Sequence, residues 1–203
     1  MKISSFAVAA ALAASFGLTG CASGSDTSGT STHGPNHVSP SAMSSMMPDA
    51  AADHNQADIM FAQMMIPHHA QAVEMGDIIL AKPDIPAEAT ALATRIKGAQ
   101  APEIATMSGW LTSWKVPIMP DHSGHGMSGM VDTEGIDKLN AAQGAEAAKL
   151  FMEQMIRHHE GAIDMARQEI GAGKHADAVQ LARDIVTAQE AEIAEMNHLL
   201  TGF

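Results

Sequence analysis

Met65-Ile66-Pro67-His68-His69-Ala70-Gln71-Ala72-Val73-Glu74-Met75 and Met155-Ile156-Arg157-His158-His159-Glu160-Gly161-Ala162-Ile163-Asp164-Met165 are two copies of one pattern, ninety positions apart. In the first copy Phe61, Met65, His68, Ala72 and Met75 follow steps of four, three, four and three. That is the seam of a helix packed against other helices. Phe151, Met155, His158, Ala162 and Met165 repeat it. A second seam runs Ile96, Gln100, Glu103, Met107, and a shift of 89 carries it onto Ile185, Gln189, Glu192 and Met196. A helical hairpin therefore occurs twice. Two such hairpins bury their stripes most simply as an antiparallel four-helix bundle, so the expected fold is all-α.

The periodicity predicts helices over about 55–81, 87–114, 134–171 and 176–200. Pro86 suits a first helical position, Pro117 lies beyond a helix end, and Gly171-Ala172-Gly173 marks a stop. No stretch alternates with period two, and Ala is abundant while Tyr is absent, so no strand is predicted. Pro67 stands inside the first helix and is expected to bend it; the second copy has Arg157 there.

The first twenty residues read as a signal peptide, with Lys2 followed by an apolar run from Phe6 to Leu18 that is too short to span a bilayer. Leu18-Thr19-Gly20-Cys21 resembles the lipobox of bacterial lipoproteins, whose cysteine is lipidated. Firm anchoring through Cys21 would take two or more acyl chains. Residues 21–54, rich in Gly, Ser, Thr and Pro, read as a flexible tether. Residues 55–203 make one domain, divided into a first hairpin (55–117), a loop (118–133) and a second hairpin (134–203).

Composition excludes several functions. Cys21 is the only cysteine, so with it lipidated there is no thiol for a disulfide, a zinc-thiolate or iron–sulfur site, a blue-copper centre or a cysteine nucleophile. Without Lys2, ten basic residues face 23 acidic ones, a net charge of −13. Nucleic acid is not an expected partner, because phosphate binding needs a basic face.

On the first helix His68 is expected to point inward, with Met65 one turn before it and Met75 two turns after. His69 is rotated by about 100°, toward the hairpin partner or the flank. His158 and His159 repeat this with Met155 and Met165. A seam that carries Gln100 and Glu103, or Gln189 and Glu192, is not what simple packing would choose, since an unpaired buried carboxylate is costly. Glu103 and Glu192 need partners. The histidines of the adjacent seam are the obvious ones, directly or through a metal, with His68 and His158 as the expected pair-makers. Met107 and Met196 lie one turn further on.

Imidazole suits copper, zinc, iron and nickel, and thioether sulfur selects Cu(I). The loop adds His122, His125, Met127 and Met130 in glycine-rich sequence where no core needs them, and the tether adds His33, His37, Met43, Met46, Met47 and His54. Copper is the metal this set fits, with Cu(I) favoured and Cu(II) also accommodated. Two other readings stand beside it. The histidines and carboxylates could form a polar layer that sets register and nothing more, with methionine as adaptable filler. An iron or haem redox protein is the second. A di-iron site wants Glu-x-x-His on paired helices, but Glu195-x-x-His198 has only Thr106-x-x-Gly109 as its counterpart.

The doubled Phe-x-x-x-Met-Ile-x-His-His-x-x-Ala-x-x-Met and Gln-x-x-Glu-Ile-x-x-Met runs resemble the DUF305 family over about residues 55–203. The resemblance implies a ferritin-like bundle, and for some bacterial members an association with periplasmic copper binding. The expectation is an extracytoplasmic lipoprotein that buffers, transfers or confers resistance to copper, and to silver. Its expected partners are the metal ion, a bacterial membrane, and a copper exporter or oxidase. No catalytic constellation is visible, so an enzyme is not expected.

Overall fold

The computed structural model describes residues 53–118 and 127–203. The order is α1 (Gln56–Leu80), α2 (Ala87–Ser113), α3 (Thr133–Ala141), α4 (Gly144–Ala172) and α5 (Ala176–Leu200). Among the described residues there is no strand, and no helix is long and apolar enough to cross a membrane. The all-α bundle is as the seams require. Cys21, the tether to position 52, His122 and His125 lie outside the described residues.

Sequence and structure differ at the third helix. The predicted span 134–171 is two helices. Ala142 leaves the helical conformation at ψ 153°, Gln143 is extended, and Gly144 takes φ +53°. A left-handed φ costs little only at glycine, so Gly144 lets the chain turn sharply into α4. Asp132 caps α3 by accepting from the Gly135 amide at 2.8 Å. α1 continues through Pro67 as one helix, and α2 likewise contains Pro102.

α1 begins with a reciprocal cap. Asn55 Oδ1 accepts from the amides of Ala57 and Asp58, and Asp58 Oδ2 accepts from the Asn55 amide. Asn55 Nδ2 also donates to the Ala172 carbonyl at 2.8 Å, and Asp58 accepts from the amides of Lys174 and His175. The start of α1 is thereby tied to the end of α4.

α1 packs against α2 and α4 packs against α5, while α1 and α4 meet at the centre. Arg95 on α2 bonds both oxygens of Glu195 on α5 at 2.6 Å, on the exposed side. The core falls into two clusters. One gathers Phe61, Met65, Met107, Leu111, Met165 and Ile185. The other gathers Met75, Ile96, Phe151, Met155, Met196 and Leu92. The ninety-residue repeat exchanges the two: Met65 with Met165 in one answers Met155 with Met75 in the other. α1 and α4 are therefore antiparallel.

Candidate metal centre

His68 follows Met65 by three positions and precedes Met75 by seven, so helix geometry places the imidazoles between the two methionine clusters. All four rings are fully buried. His68 and His158 face each other across the α1–α4 contact, with centroids 3.7 Å apart and planes inclined at 36°. His69 and His159 point outward into their own hairpins. His69 Nε2 lies 2.7 Å from Glu103 Oε2, and His159 Nε2 lies 2.7 Å from Glu192 Oε2.

This corrects the expected pairing. Glu103 and Glu192 serve His69 and His159, not His68 and His158. The seam histidines are occupied by each other, and the ring rotated by one residue is the one that reaches the hairpin partner. Each carboxylate keeps a partial solvent face, 22% and 17% of its side chain, which lowers the cost of its charge.

His68 has one further partner, the Ser128 carbonyl, 3.3 Å from Nε2. A carboxylate or carbonyl oxygen only accepts, so His68, His69 and His159 each carry their proton on Nε2. The Nδ1 of neutral His68 is left as a bare lone pair. None of these three Nδ1 atoms has a partner, and neither nitrogen of His158 has one. Five imidazole nitrogens are thus buried and unsatisfied, where nearly every buried polar atom in a folded protein is paired. Burial, and then the neighbouring His69, holds the His68 pKa down to about 3. Burial, and then His68, puts His158 well below the ordinary range. Both rings are neutral in neutral solution, the state a metal ligand requires.

The thioethers are divided between the clusters. Met65, Met107 and Met165 stand on one side of the layer; Met155, Met196 and Met75 stand on the other. Five of them are wholly buried, and Met165 is 7% exposed. Among the described residues no group of three or more imidazole or carboxylate side chains converges on one point. The donors come as facing pairs flanked by sulfur. Calcium or magnesium needs many oxygens and zinc needs four converging ligands, so the arrangement suits a low-coordinate soft ion. Di-iron chemistry is poorly served: Glu195 is bound to Arg95 and His198 is exposed.

The loop's far end seats on the site through its backbone, at Ser128 and Val131, where the sequence had marked only its Met127 and Met130 side chains. Val131 exchanges two hydrogen bonds with the Gln71 side chain, both 2.8 Å. Ser128 and Gly129 lie directly on α4. A Cβ at Gly161 would stand 2.0 Å from the Ser128 carbonyl oxygen, and one at Gly129 (φ +83°) would stand 2.6 Å from the Arg157 carbonyl. Gln71 and Gly161 occupy equivalent places in the two copies; that pair was the available signal. Met127 and Met130 are half-buried on this strap, not free in solvent.

Gln100 and Gln189 are nearly buried one turn before Glu103 and Glu192, and Gln100 has no partner for either side-chain polar atom. They extend the polar layer into both outer helices.

Comparison with known proteins agrees with this frame. A family described as a domain of unknown function, DUF305, matches residues 58–200. A secreted DUF305 protein from Streptomyces coelicolor is 36% identical, with a TM-score of 0.67, covering 75% of this chain and 94% of that one. CopM in its Cu(I)-bound form is 31% identical at a TM-score of 0.61, and in its Cu(II)-bound form 34% at 0.63; each covers 71% of this chain and 96% of CopM. CopM is also known in an Ag-bound form. No curated protein matches the chain.

Proposed function

The chain belongs to the DUF305 family, and from that premise we propose that it binds monovalent copper, and silver in its place, at the imidazole layer between α1 and α4. The observation that carries this reading is the set of five buried imidazole nitrogens without a partner. A layer meant only to set register would be satisfied by its carboxylates. Here Glu103 and Glu192 take one nitrogen of one ring each, the Ser128 carbonyl takes a third, and five are left without a partner. That is the usual support for a ligating histidine: the carboxylate fixes the tautomer and raises the basicity of the other nitrogen. Met65 and Met155, one turn away, and the remaining cluster methionines offer soft sulfur beside the rings. The structures of CopM with Cu(I), Cu(II) and Ag support a copper reading for this relative.

The role we assign is a carrier, not an enzyme. It buffers or transfers copper outside the cytoplasm, held to a membrane through lipidated Cys21, with a copper exporter or oxidase as its exchange partner. Cu(II) takes more nitrogen and oxygen donors in a tetragonal set, and His122, His125 and the tether histidines are the further imidazoles this chain offers it.

The test is Cu(I) titration of the domain under reducing conditions against a chromophoric chelator. Wild-type protein competes at micromolar or lower free metal. His68→Ala/His158→Ala, with folding checked by circular dichroism, loses the core ion, whereas deleting 122–126 does not. A folded double variant that still takes up Cu(I) with unchanged affinity would sink the reading.

A further inference from the structure

We propose that residues 127–131, the strap laid across α1 and α4, are the gate of the imidazole layer: the strap lifts as a unit, and copper enters and leaves beside His68 while it is raised. The inference deepens the copper reading of that layer and rests on it. Two things point to it, the thinness of the cover at the strap and the way the strap is fastened.

His68 is wholly buried, yet Ser128, whose carbonyl lies 3.3 Å from its Nε2, is exposed. One peptide unit separates the ring from solvent there. The other approaches are thicker. Along the helix axes the layer is flanked by the two core clusters, with Phe61 and Leu111 in one and Phe151 and Leu92 in the other. Toward the outer helices, Glu103 of α2 and Glu192 of α5 hold His69 and His159. An ion taking those routes must part a close-packed core. Under the strap it has only a few hydrogen bonds to break.

The fastening is polar and sparse. The Gln71 side chain holds Val131 through two hydrogen bonds of 2.8 Å, and His68 holds Ser128 through one. Between these points the Met130 amide donates to the Met127 carbonyl at 3.3 Å, and Gly129, at φ +83°, takes the third position of that turn, where type II geometry favours glycine. The seat on α4 is glycine against glycine: a Cβ at Gly129 would stand 3.0 Å from Gly161 Cα. Such a contact leaves no side chains to interlock, so the strap can rise and reseat without repacking. Beside it a cavity of about 350 Å³, lined by Gly129, Met130, Val131, Gln154 and Arg157 among others, gives it room to shift. Met127 and Met130 are half-buried at the two ends of the turn. They bring thioethers to the edge of the opening, where a Cu(I) ion in passage can trade one soft ligand for another.

The experiment applies two readouts to the mature chain. In metal-free protein, diethyl pyrocarbonate labels imidazoles as they open to solvent, and tandem mass spectrometry assigns each ring. In stopped flow, Cu(I) exchange with a chromophoric chelator gives uptake and release rates. His68 is labelled ahead of His69 and His159, at a rate that low urea hardly changes, because lifting a strap exposes little surface. Gln71→Ala unfastens Val131 and raises His68 labelling, Cu(I) uptake and Cu(I) release by about tenfold each, so affinity moves less than either rate. Rings that are all labelled together, at a rate climbing steeply with urea, overturn the gate and leave the copper reading standing. Release that quickens in Gln71→Ala without uptake also overturns it, since that marks weakened ligation and not an opened route. Unchanged exchange despite faster His68 labelling means that the ion passes elsewhere, and overturns it too. If His68 is labelled first but the wild-type chain takes up no Cu(I), the copper reading fails and the passage fails with it.

Discussion

The two hairpins share one seam and differ in what touches it. In α1–α2, His68 is capped by the Ser128 carbonyl and Gln71 clamps Val131. In α4–α5, His158 has no partner at either nitrogen, and the position matching Gln71 is Gly161, whose bare Cα admits the strap. One copy grips the loop and the other makes room for it. A single connection cannot serve two equivalent sites at once, so joining duplicated hairpins forces them apart in role. The same division appears at the ends of the α1–α4 pair, one covered by α3 and the other an open groove lined by Met60, Met64 and Met165.

Acid should erase the comparison most completely. His68 and His158 both have folded pKa values depressed below 6.5 by burial. Above 6.5 both states are neutral and contribute no pH dependence. As pH falls below 6.5 the unfolded chain takes up protons that the folded rings refuse, so stability drops, for His68 until about pH 3. The slope approaches about 1.4 kcal/mol per pH unit for each ring. Urea denaturation from pH 7 to pH 4 measures it. A flat profile would mean that the rings are not sealed.

Gly161→Ala breaks the comparison from the second hairpin. Its Cβ would collide with the Ser128 carbonyl oxygen at 2.0 Å, so the strap must lift. The expected loss is about 1–3 kcal/mol, read as a lower denaturation midpoint, and His68 loses its cap. A substitution with no effect would mean that the strap is not seated on α4.

Glu103→Gln and Glu192→Gln sharpen it. Each removes the charged acceptor behind one ring and should weaken Cu(I) binding by about 10–100-fold. Equal losses mean that the halves contribute alike despite the strap, and unequal losses locate the ion nearer one hairpin. A competition assay separates the two results.

The smallest effect is expected at Gln71→Ala, which removes two hydrogen bonds to Val131 and should cost about 1–2 kcal/mol. The reading is again the denaturation midpoint. Apart from these, Glu169 provides a check in the alkaline direction. Burial, and then the neighbouring Asp58, pushes its pKa up to about 8. Held as the acid, it donates to Asp58, whose oxygens already accept from the Asn55, Lys174 and His175 amides. That stability is full below the ordinary carboxyl range and fades as pH rises through about 8. Glu169→Gln should flatten that part of the profile.

Most of the frame was legible in the residues. Steps of four and three placed Met65, His68 and Met75 on a buried face, and the repeat did the same for Met155, His158 and Met165. The carboxylates at Glu103 and Glu192 marked themselves as needing partners. Which imidazole each would take was not legible, because His68 and His69 differ by one rotation of about 100°, and both directions lead into protein. The break at Ala142–Gly144 was missed because the helical pattern resumes at once in nearly the same phase.

The sequence by itself determined an all-α chain, a duplicated hairpin, and a store of imidazole and thioether donors on its seams. Those follow from periodicity, which is local and survives without coordinates. Only the tertiary structure decided that His68 meets His158, that the carboxylates serve the other two rings, and that a strap distinguishes the halves. Those depend on how α1 and α4 cross, and a crossing is set by side-chain interlock between segments that the linear order holds ninety residues apart.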